Sequence, residues 1–178
     1  NGNYIALGHN LSPFVSVWNW TGSAFGAKVA DPATLPASTG NAVAWTSDSA
    51  FIAVAHATTP FVSVYPFTTV FGTKVADPAT PPASTGRAVH FRTGDDYLAV
   101  AHSTTPFVSV YPWSGAGFGV KVANPATVPV STGRSVKFSG GGTEIAVGHD
   151  TTPFLSVYPF TGTFGTIYTN PGTLPAAA

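Results

Sequence analysis

The sequence contains no cysteine and no methionine. Without cysteine there are no disulfides and no thiolate metal sites. Methionine is missing even at position 1, so the chain reads as a processed product or a piece of something longer. Charge is scarce: Lys, Arg, Asp and Glu make up 8% of the 178 residues, against about 25% in an ordinary soluble domain. Seven Lys+Arg balance seven Asp+Glu, so no long-range field draws nucleic acid or an anionic membrane toward the surface. No apolar run approaches the roughly 20 residues of a membrane span. No segment has the layout of a signal peptide, and no window shows a 3.6-residue apolar period with helix caps.

What remains is 44% hydrophobic residues, enough for a sizeable core, under a surface left to Thr, Ser, Asn and Pro. Such surfaces are common in secreted and virion proteins, and an extracellular or virion-associated location is the expectation.

The clearest signal is a repeat. His9, His56, His102 and His149 are separated by 47, 46 and 47 residues. Pro13, Pro60, Pro106 and Pro153 follow at a fixed offset, and Asp31-Pro32, Asp77-Pro78, Asn124-Pro125 and Asn170-Pro171 recur in step. One unit holds four runs with strand chemistry: "RAVHFR" (87–92), "YLAVAH" (97–102), "FVSVYPW" (107–113) and "FGVKVA" (118–123). Each is rich in β-branched and aromatic residues and bounded by Gly, Pro, Asp or Ser. The short gaps favour antiparallel hairpins, because parallel crossovers need a dozen residues or more. In "FVSVY" both faces are apolar, which suits sheets buried between neighbours. Four antiparallel strands in 40–50 residues, repeated in tandem, is the pattern of a β-propeller. The expected fold is therefore an all-β propeller array over 1–178, with blades near 1–40, 41–86, 87–133 and 134–178.

"VAWTSDSAFIAVAH" and "VHFRTGDDYLAVAH" resemble the WD40 pattern of inner strand, acidic turn and second strand. Val17-Trp18, Val64-Tyr65 and Val110-Tyr111 fall where the WD40 tryptophan strand would lie. The unit is similar to WD40-like repeats in phage tail-associated and bacterial surface proteins. There is no Trp-Asp dipeptide and no Gly-His before the inner strand, so the WD40 hydrogen-bond tetrad does not carry over.

Four copies of one histidine pose a choice between a site and a repeated local job. Equivalent residues on successive blades diverge, whereas metal ligands converge within about 2 Å of one ion. The reading adopted is structural: each imidazole bonds loop backbone and pins the crossover, with no metal and no cofactor. Catalysis finds little support. Asp31 and Asp77 sit at a turn-capping position that Asn fills elsewhere, Asp48, Asp95 and Asp96 lie in hairpin turns, and Glu144 is the sole glutamate. "SGGGTE" (139–144) is a hairpin turn and not a phosphate loop.

Positions that differ between repeats are freer to carry function. Asn41, Arg87 and Arg134 begin inner strands; Ala44, His90 and Lys137 follow, then Thr46, Arg92 and Ser139. Arg87, His90, Arg134 and Lys137 are candidate anion contacts along a central channel, with solvated residues beside a water-filled channel as the favoured reading. Trp20, Phe67, Trp113 and Phe160 follow the third strand, where packing under the neighbouring loop is the favoured use, and Trp20 and Trp113 are the candidates for stacking a sugar.

The first unit has no inner strand and the last stops after its fourth. The expectation is that the chain does not close a ring by itself, with further blades of a longer chain favoured over a second copy. The functional expectation is a non-enzymatic scaffold or host-attachment module of a phage tail or cell-surface assembly. Its partners would be other protein subunits, further blades or glycans, with no nucleic acid. A carbohydrate-binding lectin with one shallow site per blade is the alternative. A hydrolase using the basic channel would need turnover that depends on His90.

Overall fold

A computed structural model describes residues 2–175; Asn1 and positions 176–178, at the outer limits of the first and last expected repeats, lie outside the described residues. Twelve strands follow in chain order: β1 (Tyr4–Gly8), β2 (Val15–Trp20), β3 (Phe25–Lys28), β4 (Gly40–Trp45), β5 (Phe51–His56), β6 (Val62–Pro66), β7 (Gly86–Phe91), β8 (Tyr97–His102), β9 (Val108–Pro112), β10 (Gly133–Phe138), β11 (Glu144–His149) and β12 (Leu155–Pro159). They form four three-stranded antiparallel sheets, β1-β2-β3, β4-β5-β6, β7-β8-β9 and β10-β11-β12. The described residues contain no helix. This is an all-β repeat compatible with a propeller-like arrangement.

Each sheet has two unlike faces, set by the period-2 alternation of its strands. In the third sheet Leu98, Val100, Tyr111 and Trp113 point one way, joined by Val89 and Phe91 of β7. Ala99, Ala101, Val108 and Val110 point the other way. The bulky face of one sheet packs on the small-residue face of the sheet before it. Ala53, Ala55, Val62 and Val64 of the second sheet meet the bulky face of the third. Ala99, Ala101, Val108 and Val110 meet Val136, Phe138, Ile145, Val147, Tyr158 and Phe160 of the fourth. Val15 and Val17 of the first sheet meet Ile52, Val54, Tyr65 and Phe67 of the second. The three clusters join neighbours in chain order, and none joins the fourth sheet to the first. The interior is therefore a series of layers between sheets.

The second, third and fourth sheets each have one strand fewer than the repeat predicts, and the reason is a proline. The fourth-strand segments after β6, β9 and β12 form no continuous ladder. They meet the sheet at the isolated bridges Phe67–Phe71, Trp113–Phe118 and Phe160–Phe164, and Val75, Val122 and Tyr168 donate to the carbonyls of Val64, Val110 and Val157 at 2.8–2.9 Å. The carbonyls of Pro66, Pro112 and Pro159 accept from Gly72, Gly119 and Gly165, each at 2.8 Å. In a strand, a residue's N–H points to the same side as its carbonyl, and proline has no N–H to return. The first sheet has Asn19 at this position, and there alone the fourth segment forms a strand, β3, paired Trp18–Lys28 and Trp20–Phe25.

The loop between the second and third strands of each unit is built the same way four times. The Ser12-Pro13, Thr59-Pro60, Thr105-Pro106 and Thr152-Pro153 peptides are cis, and the following Phe14, Phe61, Phe107 and Phe154 have φ of 67–69°. The Phe61 N–H donates to the Thr58 carbonyl at 2.7 Å, and the Phe61 carbonyl accepts the His56 N–H at 3.0 Å. That same carbonyl lies under the first residue of the next sheet's inner strand. A Cβ on Gly86 would stand 2.3 Å from Phe61 O, and one on Gly40 or Gly133 would meet Phe14 O or Phe107 O at 2.2 and 2.4 Å. Glycine there is a consequence of close approach.

A Gly86→Ala chain should lose about 1–3 kcal/mol, the usual cost of overpacking a closed site. Gly140→Ala, whose Cβ meets nothing within 4 Å, should stay within about 1 kcal/mol of the parent. Urea unfolding midpoints of the two variants make the comparison.

Candidate functional site

His56, His102 and His149 end β5, β8 and β11, and His9 follows β1. The alternation that puts Leu98 and Val100 on the bulky face puts His102 there too, beside Ser109 of β9. His102 Nε2 lies 3.0 Å from Ser109 Oγ, a hydrogen bond in either tautomer. His56 pairs with Ser63 at 3.0 Å, His149 with Ser156 at 3.1 Å and His9 with Ser16 at 3.0 Å. The ring is thus tied to a strand serine, and loop backbone at Thr58 and Thr104 also acts on the His56 and His102 imidazoles. The histidine's own N–H holds the loop carbonyl, and its ring ties the second strand to a serine of the third. These serines went unnoticed in the sequence, although each stands seven residues after its histidine.

His56 and His102 are fully buried. Burial lowers the pKa of both, and that of His102 is pushed down to about 4, with the backbone groups of Thr104 and Val108 opposing the shift. The Nδ1 atoms of His56, His102 and His149 make no hydrogen bond of ordinary geometry. Among the described residues no three His, Asp or Glu side chains converge as metal ligands.

The variable inner-strand positions are separated among local partners. Arg87 Nε donates to Ser103 Oγ at 2.9 Å. Arg134 grips Asp150 with Nε and Nη2 at 2.7–2.9 Å, holding that carboxyl below its usual range. This pair is exposed, so it contributes little to stability. His90 Nδ1 accepts the Phe138 N–H across the sheet boundary at 3.2 Å, and burial lowers its pKa. Asn41 Nδ2 donates to Gly86 O at 2.7 Å. Arg92 donates to Gly142 O at 2.6 Å and Asp96 at 2.9 Å, with its guanidinium 5.5 Å from the Tyr97 ring centre. Lys137 is exposed and makes no hydrogen bond or ion pair among the described residues.

Two expectations about acidic residues change in detail. Asp31, Asp77 and Asn124 each receive the ammonium of the lysine three residues earlier, Lys28, Lys74 and Lys121. Asp95 reaches beyond its own turn to accept the Ser47 N–H of the preceding sheet at 2.9 Å.

The aromatic candidates divide. Phe67, Trp113 and Phe160 are buried, because each is covered edge-on by the ring that opens the preceding sheet's second strand. Tyr4–Phe67, Phe51–Trp113 and Tyr97–Phe160 have centroids 5.0, 5.3 and 5.1 Å apart. Trp113 therefore offers no free ring face to a sugar. Trp20, with no sheet before it, is half-buried and rests on Phe25 at 5.4 Å. Beside it Ile5, Ala6, Leu7, Trp18 and Phe25 line an apolar hollow of about 410 Å³. A smaller hollow of about 230 Å³ has Tyr4 and Trp45 with Thr46, Ser47 and Ser49 around it.

No protein-family model matches the chain, and no curated protein matches it. Solved structures are similar in fold. One is described as Kuenenia stuttgartiensis hydrazine synthase, with a TM-score of 0.61 and 17% identity over 86% of this chain and 42% of that one. Another is described as U3-55K, with a TM-score of 0.59 and 10% identity over 86% of this chain and 45% of that one. The chain thus spans less than half the length of either. At these identities the likeness is one of fold.

A depressed histidine pKa makes stability depend on pH with a definite sign. Between pH 6.5 and about 4 the unfolded chain binds a proton at position 102 that the folded chain refuses. Stability is complete above pH 6.5 and falls as pH drops toward 4, with about 3 kcal/mol attributable to this group. Urea titrations across that window should show the fall, and His102→Gln should flatten it.

Proposed function

We propose that the chain is an arc of a WD40-like β-propeller serving as a non-enzymatic scaffold or attachment module, placed in a phage tail or cell-surface assembly outside the cell. In this reading the bridged segments after β6, β9 and β12 are the fourth strands of their blades, and the partners are further propeller blades or protein subunits. The observation that carries it is where the polar side chains go. His56, His102 and His149 are spent on strand serines, and Arg87, His90, Arg92 and Arg134 on the frame of their own or the next sheet. Groups so engaged hold geometry, and a general base or nucleophile needs a group aimed into space that a substrate can enter. The resemblance to repeats of phage tail-associated and bacterial surface proteins supplies the setting. No helix among the described residues is long and apolar enough to cross a membrane.

The lectin reading keeps one specific observation in its favour. The hollow beside Tyr4 and Trp45 combines aromatic rings with the hydroxyl-bearing residues Thr46, Ser47 and Ser49, the pairing that sugar rings use for stacking and hydrogen bonding.

A glycan array is expected to stay silent for the scaffold, and reproducible binding lost in Trp45→Ala would move the assignment to the lectin. His90→Ala should lower stability by about 1 kcal/mol through loss of the bond to the Phe138 N–H. Hydrolytic turnover that disappears in the same variant would overturn the non-enzymatic reading.

A further inference from the structure

Two neighbouring junctions share a seat made of paired rings, and in one of them an arginine of the chain fills it. Between the third and fourth sheets the Arg92 guanidinium carbon lies 5.5 and 5.9 Å from the ring centres of Tyr97 and Phe160. Its Nε donates to the Gly142 carbonyl at 2.6 Å and its Nη1 to Asp96 at 2.9 Å. The preceding junction repeats the rings without the arginine. Phe51 and Trp113 take the places of Tyr97 and Phe160, edge-on at 5.3 Å against 5.1 Å. They line a cleft of about 310 Å³ between the second and third sheets, with Asp48, Asp95, Asp96 and Ser114 around it. Where the third sheet has Arg92, the second has Thr46.

The carboxylates of this cleft are short of counter-ions. Asp31, Asp77, Asp96 and Asp150 each pair with a Lys or Arg. Asp48 and Asp95 make no ion pair among the described residues. They accept the backbone N–H groups of Ala50 and Ser47, each at 2.9 Å. Two uncompensated charges therefore stand beside one aromatic floor. Trp113 is buried, so the ring on offer is that of half-buried Phe51.

We infer that the cleft between the second and third sheets docks an arginine side chain of a partner protein, its guanidinium over Phe51 and in the field of Asp48 and Asp95. This rests on the scaffold reading, in which the partners are protein subunits. A guanidinium suits the place because it is planar. It stacks on a ring while its fork meets carboxylates, and it sheds water more readily than an ammonium. The cation has to come from outside. A Cβ on Gly142 would stand 2.7 Å from Arg92 Nε, and Asp95 holds the corresponding position with a similar φ, 56° against 70°. A side chain from position 46 could not cross there as Arg92 does. Asp48, Asp96, Ser114 and Gly115 are exposed, which leaves the cleft open to solvent.

The test is a titration of the 178-residue chain with the peptide acetyl-Gly-Arg-Gly-amide, read from the amide signals of Gly94, Asp95 and Gly115 and the indole N–H of Trp113. Saturable shifts confined to these groups are expected, with a dissociation constant in the millimolar range. The same peptide with citrulline, which keeps the shape and loses the charge, should shift nothing. Asp48→Asn keeps an oxygen to cap Ala50 and removes one charge. It should weaken binding about two- to fivefold, the effect of one exposed pair. Ser114→Lys sets a cation on the exposed rim and should weaken binding as well, and it carries the test should Asp48→Asn lose its β-sheet circular dichroism. No shift with the arginine peptide, equal shifts with citrulline, or an affinity indifferent to both substitutions would overturn the docking. Agmatine bound about tenfold tighter than the peptide, a difference of about 1.4 kcal/mol, would make the occupant a free small guanidine and overturn the protein partner. A silent cleft leaves the scaffold reading to the glycan array and the His90 variant. Turnover lost in that variant would instead overturn the scaffold and leave the shifts in place.

Discussion

The structure depends on the difference between the two faces of each sheet. A face of alanine and valine leaves room, and a face of isoleucine or leucine, valine, tyrosine and a further aromatic fills it. Removing a large buried side chain from such a contact costs about 2–5 kcal/mol, part of it for the cavity left behind. Two bulky faces would not close on one another, and two small ones would leave a void. The sheets therefore stack in one direction only, and the direction is written into every repeat. No three-stranded sheet here has a core of its own. Each is stable through its neighbours, as in other repeat proteins whose stability is a sum of nearest-neighbour terms.

Stacking alone would leave the sheets free to slide, and the repeated loop removes that freedom. At the three junctions the backbone N–H of His9, His56 or His102 and the first glycine of the next inner strand converge on one phenylalanine carbonyl. The imidazole fastens the second strand to the third through a serine. A neutral histidine suits this place because it fills volume and offers a ring nitrogen without a charge to desolvate. A lysine or arginine would need a buried counter-ion, and the chain has seven acidic residues in all. Scarcity of charge and repetition of histidine are then two aspects of one solution.

Much of this was legible in the sequence because it repeats. The registers of His, Pro and Asx fixed the unit, and the expected strand at 97–102 is β8 to the residue. The two apolar faces expected of "FVSVY" are both buried, Tyr111 in one core cluster and Val108 and Val110 in the next. The fourth strand forms as β3 in the first unit and is reduced to isolated bridges in the others, because β-propensity is a property of the segment, whereas the ladder needs a donor on the partner. Pro66, Pro112 and Pro159 decide the matter from the neighbouring strand. The burial of Trp113 was equally invisible locally, since the ring that covers it, Phe51, lies 62 residues earlier in another sheet. Serine as the histidine's partner could have been found from its constant spacing. That Arg92 reaches Gly142 and Asp95 reaches Ser47 could not, because each joins consecutive units through positions that differ from unit to unit.

Those differing positions show how a repeat acquires individuality. Where the frame needs a residue, all four copies agree. Where it does not, the copies have diverged into contacts special to one junction: Asn41 with Gly86, His90 with Phe138, Arg92 with Gly142. Each is a directional bond added to a non-directional apolar contact, and each fits one neighbour only. Burial supplies most of the energy of a junction, while a single buried hydrogen bond adds about 1 kcal/mol. The bond's larger effect is on choice, because a wrong neighbour would leave its donor or acceptor unpaired in a dry interface at a cost of about 1–3 kcal/mol. Four nearly interchangeable sheets are in this way held to one order, with their chemical differences placed along β4, β7 and β10 and the turns that follow them.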